Sequence, residues 1–289
     1  MNKLAFFSQI VNKQLNGQSR YCPHCESERT ILIQRKKILL ELRQCQECFL
    51  MYRYPKDGVA DNIDFYQSEY QEGMTTDMPD EVELKKLLEL GFRGSQIDLS
   101  NNIQIVKQYI NHGSLLDYGC SWGYGVNQFN QAGYDAVGFE ISKSRSEYGR
   151  KHLSVKILDE LLDLEQFQPH SFDIIHTSHV LEHLPELTQA FSLFQKLIKP
   201  TGYLIIFVPN AGGQSARNLG VGWGPMIGEK HTLALDARFF ANNLAKYGFI
   251  PVFNSPPYDN TPVAYESEEQ ASMAFPGDEL LVIARPINS

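Results

Sequence analysis

The stretch Leu115-Leu116-Asp117-Tyr118-Gly119-Cys120-Ser121-Trp122-Gly123-Tyr124-Gly125 decides how the rest of the chain is read. It opens as a short apolar strand, turns through glycines, and runs into a helical pattern over Gly123–Ala132. Glycines in such a turn let the backbone approach a ligand closely. The spacing of Gly119, Gly123 and Gly125 is not the Gly-x-Gly-x-x-Gly of a dinucleotide site. Asp117 stands just before the turn, where a carboxylate repels a pyrophosphate and attracts a cationic ligand.

Outward from this turn, short apolar runs recur at Ser114–Tyr118, Asp135–Glu140, Val155–Leu158, Phe172–Thr177, Gly202–Val208, Ile250–Phe253 and Glu279–Ala284. Helical patterns fall between or beside them at Lys143–Leu153, Glu186–Leu197 and Asp236–Tyr247. This alternation predicts an α/β fold, a doubly wound Rossmann-like sheet of seven strands that binds its ligand beyond the strands' carboxyl ends. The second strand ends at Glu140, twenty-one residues after Gly119, where an acid accepts hydrogen bonds from ribose hydroxyls. The expected ligand is a nucleoside with a positive, non-phosphorylated substituent, a description that S-adenosylmethionine fits.

Cys22-Pro-His-Cys25 and Cys45-Gln-Glu-Cys48 stand nineteen residues apart, the spacing of a zinc ribbon with Ile31–Leu42 as a hairpin between the knuckles. So small a module needs a staple, and four thiolates at tetrahedral corners provide it. Cys22, Cys25, Cys45 and Cys48 are the expected ligands of a structural zinc ion, with His24 a bystander. The expected organisation is a ribbon over 18–56, a linker and helical cap over 57–96, and the main domain over 97–289.

The chain has 289 residues, 26 Lys+Arg against 34 Asp+Glu, and a formal charge of −8. That balance disfavours a partner as negative as nucleic acid, although Arg29, Arg35, Lys36, Lys37 and Arg43 put local positive charge on the ribbon. No apolar run is long enough to span a membrane and Met1–Gly17 does not resemble a signal peptide, so a cytoplasmic setting is expected.

Leu116–Gly123 resembles motif I of the class I S-adenosylmethionine-dependent methyltransferases. Phe172–Leu184 resembles their fourth-strand segment, and Ile198–Asn210 the fifth. The resemblance spans roughly Cys22 to Pro286 and extends to a subgroup with an N-terminal zinc ribbon, many of whose members act on sugars, polysaccharides or secondary metabolites. Ser121 departs from the glycine usual at its position.

The resemblance implies that Gly119, Cys120 and Gly123 pass under the methionyl part of S-adenosylmethionine. Asp117 would support the ammonium group, Glu140 hold the ribose, and Ile141 flank the adenine. Asp159 would meet the adenine amino group, and Ser178 would stand at the cofactor. Tyr66 and Tyr70 either line the cofactor mouth or pack against the next domain. The acceptor would be a small molecule or carbohydrate, methylated on oxygen or carbon; a zinc-ribbon RNA methyltransferase or a non-catalytic cofactor-binding protein are the alternatives.

His179, Glu182, His183 and His231 are the candidates for removing the acceptor's proton. If the chain turns helical after Ser178, His179 and His183 share a face with Glu182 beside them. Three readings stand open: a helix-start network, a metal-free base at His231 or His183, and a divalent metal site. A similar Glu-x-x-Glu-His with a distant His holds Mg²⁺ in small-RNA 2′-O-methyltransferases, but here the first acid is replaced by His179. The glycine-rich Asn210–Lys230 is expected to be a mobile lid or an acceptor loop, with Trp223 either stacking on a sugar or anchoring the loop.

Overall fold

The computed structural model describes residues 3–15, 17–37, 39–68 and 76–287, without the side chains of residues 3–5, 7, 63–66 and 68. The chain divides into two compact units. One comprises Met1–Asn62, Ser178–Gln195 and Ile206–Ser289, the other Ile63–Thr177 and Lys196–Ile205.

Strands β1 (Thr30–Lys36), β2 (Leu40–Cys45) and β3 (Met51–Tyr54) form an antiparallel meander. Strands β4 (Gly113–Tyr118), β5 (Tyr134–Phe139), β6 (Ile157–Leu158), β7 (Phe172–Ser178) and β8 (Ile198–Pro209) follow. Strand β9 (Leu233–Ala234) then pairs antiparallel with β3, giving a four-stranded sheet in the order β1-β2-β3-β9. Strands β10 (Phe249–Asn254) and β11 (Glu279–Pro286) close the chain as an antiparallel pair.

The second sheet has the order β10-β11-β8-β7-β4-β5-β6. β4 pairs parallel with both β5 and β7, so the order reverses at β4. This is the mixed seven-stranded, Rossmann-like sheet expected, and its switch point lies at the glycine turn. Leu204, Ile205, Ile206 and Phe207 are fully buried, as a strand covered on both faces requires.

Several elements depart from their predicted bounds for local reasons. Ser154 takes a left-handed φ of 54°, and the third strand of the expected set shortens to Ile157–Leu158. β8 starts four residues early because Lys199 is held 2.7 Å from Asp173 and stays extended. The helix capped by Asp236 tightens to a 3₁₀ turn over Leu244–Tyr247 after Asn243, whose buried side chain donates to the carbonyls of Phe239 (2.7 Å) and Cys48 (2.8 Å).

The segment after Ser178 is not an α-helix. His179 N–H donates to Phe207 O at 2.8 Å and takes a φ of 54°, so only a short 3₁₀ turn, Leu181–His183, follows.

The expected lid is instead packed. It holds a helix, Gln214–Leu219, and its Ala216, Val221, Trp223, Met226 and Ile227 join Ile10, Leu40 and Leu42 in one buried apolar cluster. Trp223 anchors this segment. The linker contains helices Val59–Ser68 and Glu81–Glu89, the latter capped by Asp80, whose carboxylate accepts from the N–H groups of Val82 and Glu83. No helix among the described residues is long and apolar enough to cross a membrane.

Candidate functional site

At the end of β4, Gly119 and Gly123 take φ of 83° and 80°, a region that an L side chain avoids. A Cβ on Gly123 would lie 2.7 Å from Ile157 Cδ1 and 2.9 Å from Val155 Cγ2, so no side chain fits there. Gly138 leaves room on β5 for Cys120, where a Cβ would approach Sγ to 2.4 Å. Burial, with Asp117 and Glu140 adding to it, pushes the Cys120 thiol well above its usual pKa. Cys120 is a buried spacer and no nucleophile.

Asp117 and Glu140 are both buried at the strand ends. Glu140 accepts from the backbone N–H groups of Ser142 (2.8 Å) and Ser121 (3.0 Å), which fixes its carboxylate against the turn. Burial raises its pKa, and those amides with the nearby Arg145 work against the rise. Each carboxylate oxygen accepts one such bond, leaving lone pairs for a polyhydroxylated ligand.

Asp117 Oδ1 lies 2.8 Å from Nδ1 of the buried His176. Arg145, also fully buried, donates to Ser121 Oγ at 2.8 Å and to Thr76 O. The sequence pattern did not single out Arg145, nor did it pair His176 with Asp117. Ser121 thus supplies the turn with an oxygen that a glycine would not. Asp159 is held by Arg150 at 2.9 Å, Ile141 and Ser178 are half-buried, and Gln67 donates to Ile141 O at 2.6 Å. The Tyr66 side chain and the whole of Tyr70 lie outside the described residues.

In the other unit, Glu182, His183 and His231 bring one ligand atom each within 4.8 Å of one another. The His183 and His231 rings meet edge to face at 4.7 Å. His179 reaches the same acid, its Nδ1 3.5 Å from Glu182 Oε1, while its Nε2 lies 2.6 Å from Glu279 Oε2. Burial disfavours charge on His179, but Glu182 and Glu279 outweigh it and raise its pKa. Burial lowers the pKa of His183, against the pull of Glu182. Tyr258 O–H donates to Glu279 and extends the network. Sequence reasoning passed over Glu279. Its signal was topological: it opens β11, and Asn210 N–H beyond the end of β8 donates to Asp278 O beside it.

The ribbon belongs to this same unit. Cys22 and Cys48 sulfurs lie 3.4 Å apart, as do those of Cys25 and Cys45, and all four fall within 4.8 Å of one another. Glu26 and Phe49, each following the second cysteine of a knuckle, take left-handed φ of 57° and 65°. Backbone N–H groups of Glu47 and Cys48 point at Cys45 Sγ. Four converging sulfurs with amide donors behind them suit a tetrahedral thiolate site for zinc. His24 turns away into Phe191, Phe239 and Tyr247.

The methyltransferase-domain family profile matches residues 79–252, more than half of the chain. The chain belongs to that family. A ubiquinone biosynthesis O-methyltransferase of Thiobacillus denitrificans is 28% identical over 107 residues, which are 35% of this chain and 46% of that one. A namesake from Neisseria meningitidis is 26% identical over 113 residues, 36% and 48% of the two chains. The chain spans about half the length of the curated relatives it matches. A SAM-dependent methyltransferase from Archaeoglobus fulgidus shares its fold, with a TM-score of 0.50, 18% identity, and coverage of 71% of this chain and 99% of the other. So does geranyl diphosphate C-methyltransferase from Streptomyces coelicolor, with a TM-score of 0.51, 13% identity and coverage of 78% and 97%.

Proposed function

We propose that this protein transfers a methyl group from S-adenosylmethionine to a small-molecule acceptor, with oxygen as the favoured atom. The observation that carries the reading is the paired acids around the glycine turn. Glu140 is held by two backbone amides, and Asp117 is held by His176. Two buried carboxylates beside a positive-φ turn suit a cationic nucleoside and disfavour a phosphorylated one. When bound, S-adenosylmethionine supplies an electrophilic methyl on its sulfonium. Glu140 would accept from the ribose hydroxyls, and Asp117 would face the ammonium group. Glu182, His183, His231 and His179 are the candidates for managing the proton of the acceptor oxygen.

A small acceptor is supported by the ribbon's charges, which are largely spent within the fold. Arg35 and Arg43 pair with Glu41, Arg29 pairs with Glu47, and Lys36 donates to Ile227 O. The names of the curated relatives point to O-methylation of a small molecule. Carbohydrates remain a class to include among the acceptors, and gathered thiols suit a reducing, cytoplasmic setting.

The test is calorimetric binding of S-adenosylmethionine, followed by an acceptor screen that reads homocysteine release from phenols, sugars and RNA. Glu140→Ala is expected to weaken cofactor binding roughly 10- to 100-fold, the worth of hydrogen bonds to a charged group. Unchanged affinity in that variant would refute the assignment, and turnover on RNA alone would refute the small acceptor.

A further inference from the structure

Glu182 carries an unusual burden. It is 1% exposed, and neither of its carboxylate oxygens accepts a hydrogen bond from the described residues. A buried carboxylate in that state costs several kcal/mol unless cations meet it, and the one side chain that approaches with a raised pKa, His179, stays 3.5 Å from Oε1 and is shared with Glu279. The two imidazoles beside it are set in one particular way. His183 Nδ1 lies 3.2 Å from Lys230 O, and His231 Nδ1 lies 2.7 Å from Pro225 O. A carbonyl can only accept, so each Nδ1 carries the hydrogen. Each Nε2 is left with its lone pair, and His183 Nε2 stands 3.6 Å from Glu182 Oε1.

One atom from each of the two imidazoles and the carboxylate therefore lie within 4.8 Å of one another, and His179 Nδ1 faces the same carboxylate from 3.5 Å. Donation of the second ring N–H to a backbone carbonyl is how metal-ligating histidines are oriented. The backbone of the trio is also fixed. Thr232 N–H donates to Glu182 O (3.0 Å), Asn62 Nδ2 donates to His183 O (2.8 Å), and Gly228 N–H donates to His231 O (3.0 Å).

We propose that Glu182, His183 and His231 form a binding site for a divalent first-row transition-metal ion, separate from the four thiolates of the ribbon. Two imidazole nitrogens with one carboxylate favour such an ion over magnesium, which prefers an all-oxygen shell. Three protein ligands leave coordination positions for oxygen from outside the protein. The site deepens the methyl-transfer reading, on which its use depends: the cluster would meet the acceptor oxygen by ligation, in place of proton removal by an isolated imidazole.

Titrating Co²⁺ into the full-length protein, with neither cofactor nor acceptor, tests the site. The readouts are calorimetry, visible absorption and elemental analysis for zinc. One equivalent of Co²⁺ is expected to bind with ligand-field bands and without thiolate charge transfer, while zinc stays at one per chain. Glu182→Gln and His231→Gln should each weaken that binding at least tenfold with the zinc content unchanged. Absence of Co²⁺ binding in the wild type would overturn the proposal. So would thiolate bands, undiminished affinity in both variants, or equal affinity for Mg²⁺. The wild-type result stands even if a variant fails to fold. Co²⁺ binding without any methyl transfer would count against the function above and leave the site intact.

Discussion

Gly125 shows how little latitude the turn allows. A Cβ there would lie 2.4 Å from Asp117 Oδ2, so Gly125→Ala must displace the carboxylate that pairs with His176. Overpacking of this kind costs about 1–3 kcal/mol. The variant is expected to lose that much in a urea titration and to bind S-adenosylmethionine more weakly. Asp236 makes a prediction about pH. It caps its helix by accepting from Phe239 N–H at 2.8 Å, and burial pushes its pKa up to about 6. An unfolded Asp releases its proton near pH 3.9, so between these values the native state holds the proton and the unfolded chain does not. Stability contributed by this group thus falls as pH rises from about 4 to about 6, and is level above. Urea titrations should show wild type losing roughly 1–2 kcal/mol relative to Asp236→Asn across that window, the asparagine keeping the cap. A parallel course for the two proteins would rule the assignment out. The places of Asp117, Gly119 and Glu140 at the strand ends were legible because they follow from position along single strands. The partners of His176, Arg145 and Glu279 were not, since each is acquired only once distant segments are aligned.

At the scale of elements, the ribbon is built into the loop that carries His231. β3 pairs with β9, Arg53 N–H donates to Thr232 O at 2.8 Å, and the fully buried Arg53 guanidinium donates to the carbonyls of Gly228 (2.6 Å) and Glu229 (3.0 Å). Asp57, 2.6 Å from Arg53, balances the charge. Arg53→Met leaves these carbonyls without their donor, while Asp57 keeps Lys13 at 2.9 Å, and the loss is worth about 1–3 kcal/mol. The melting temperature should drop accordingly. In material that still folds, turnover should fall while cofactor affinity holds, because the cofactor turn is made from other residues. Equal loss of both would mean that Arg53 acts only through global stability. The zinc knuckles and the main strands were legible from spacing and apolar runs. The segment after Ser178 was not, because a single bond from His179 N–H to Phe207 O outweighs helical periodicity there.

At the scale of the molecule, if the four thiolates hold zinc as their geometry suits, stripping it should be felt well beyond the two knuckles. Cys48 O accepts from the buried Asn243 side chain, and His24 O from Thr188 Oγ1. A chelator strong enough to empty the four thiolates is expected to lower the melting temperature of the whole unit in calorimetry, with zinc restoring it. Survival of the full transition without zinc would show the ribbon to be dispensable for folding. The fold class was legible from the alternation of strands and helices. The interleaving of the ribbon with the C-terminal half was not, since β9 has only two residues and no pattern of its own. That interleaving also orders events during synthesis. The thiolates of the ribbon leave the ribosome early and can take zinc at once, but Arg53 has no carbonyls to meet until residues 228 and 229 follow. From the emergence of Cys48 until that of residue 229 the nascent chain therefore carries a finished knuckle beside an unfinished seam, which closes only through a contact of very long sequence separation.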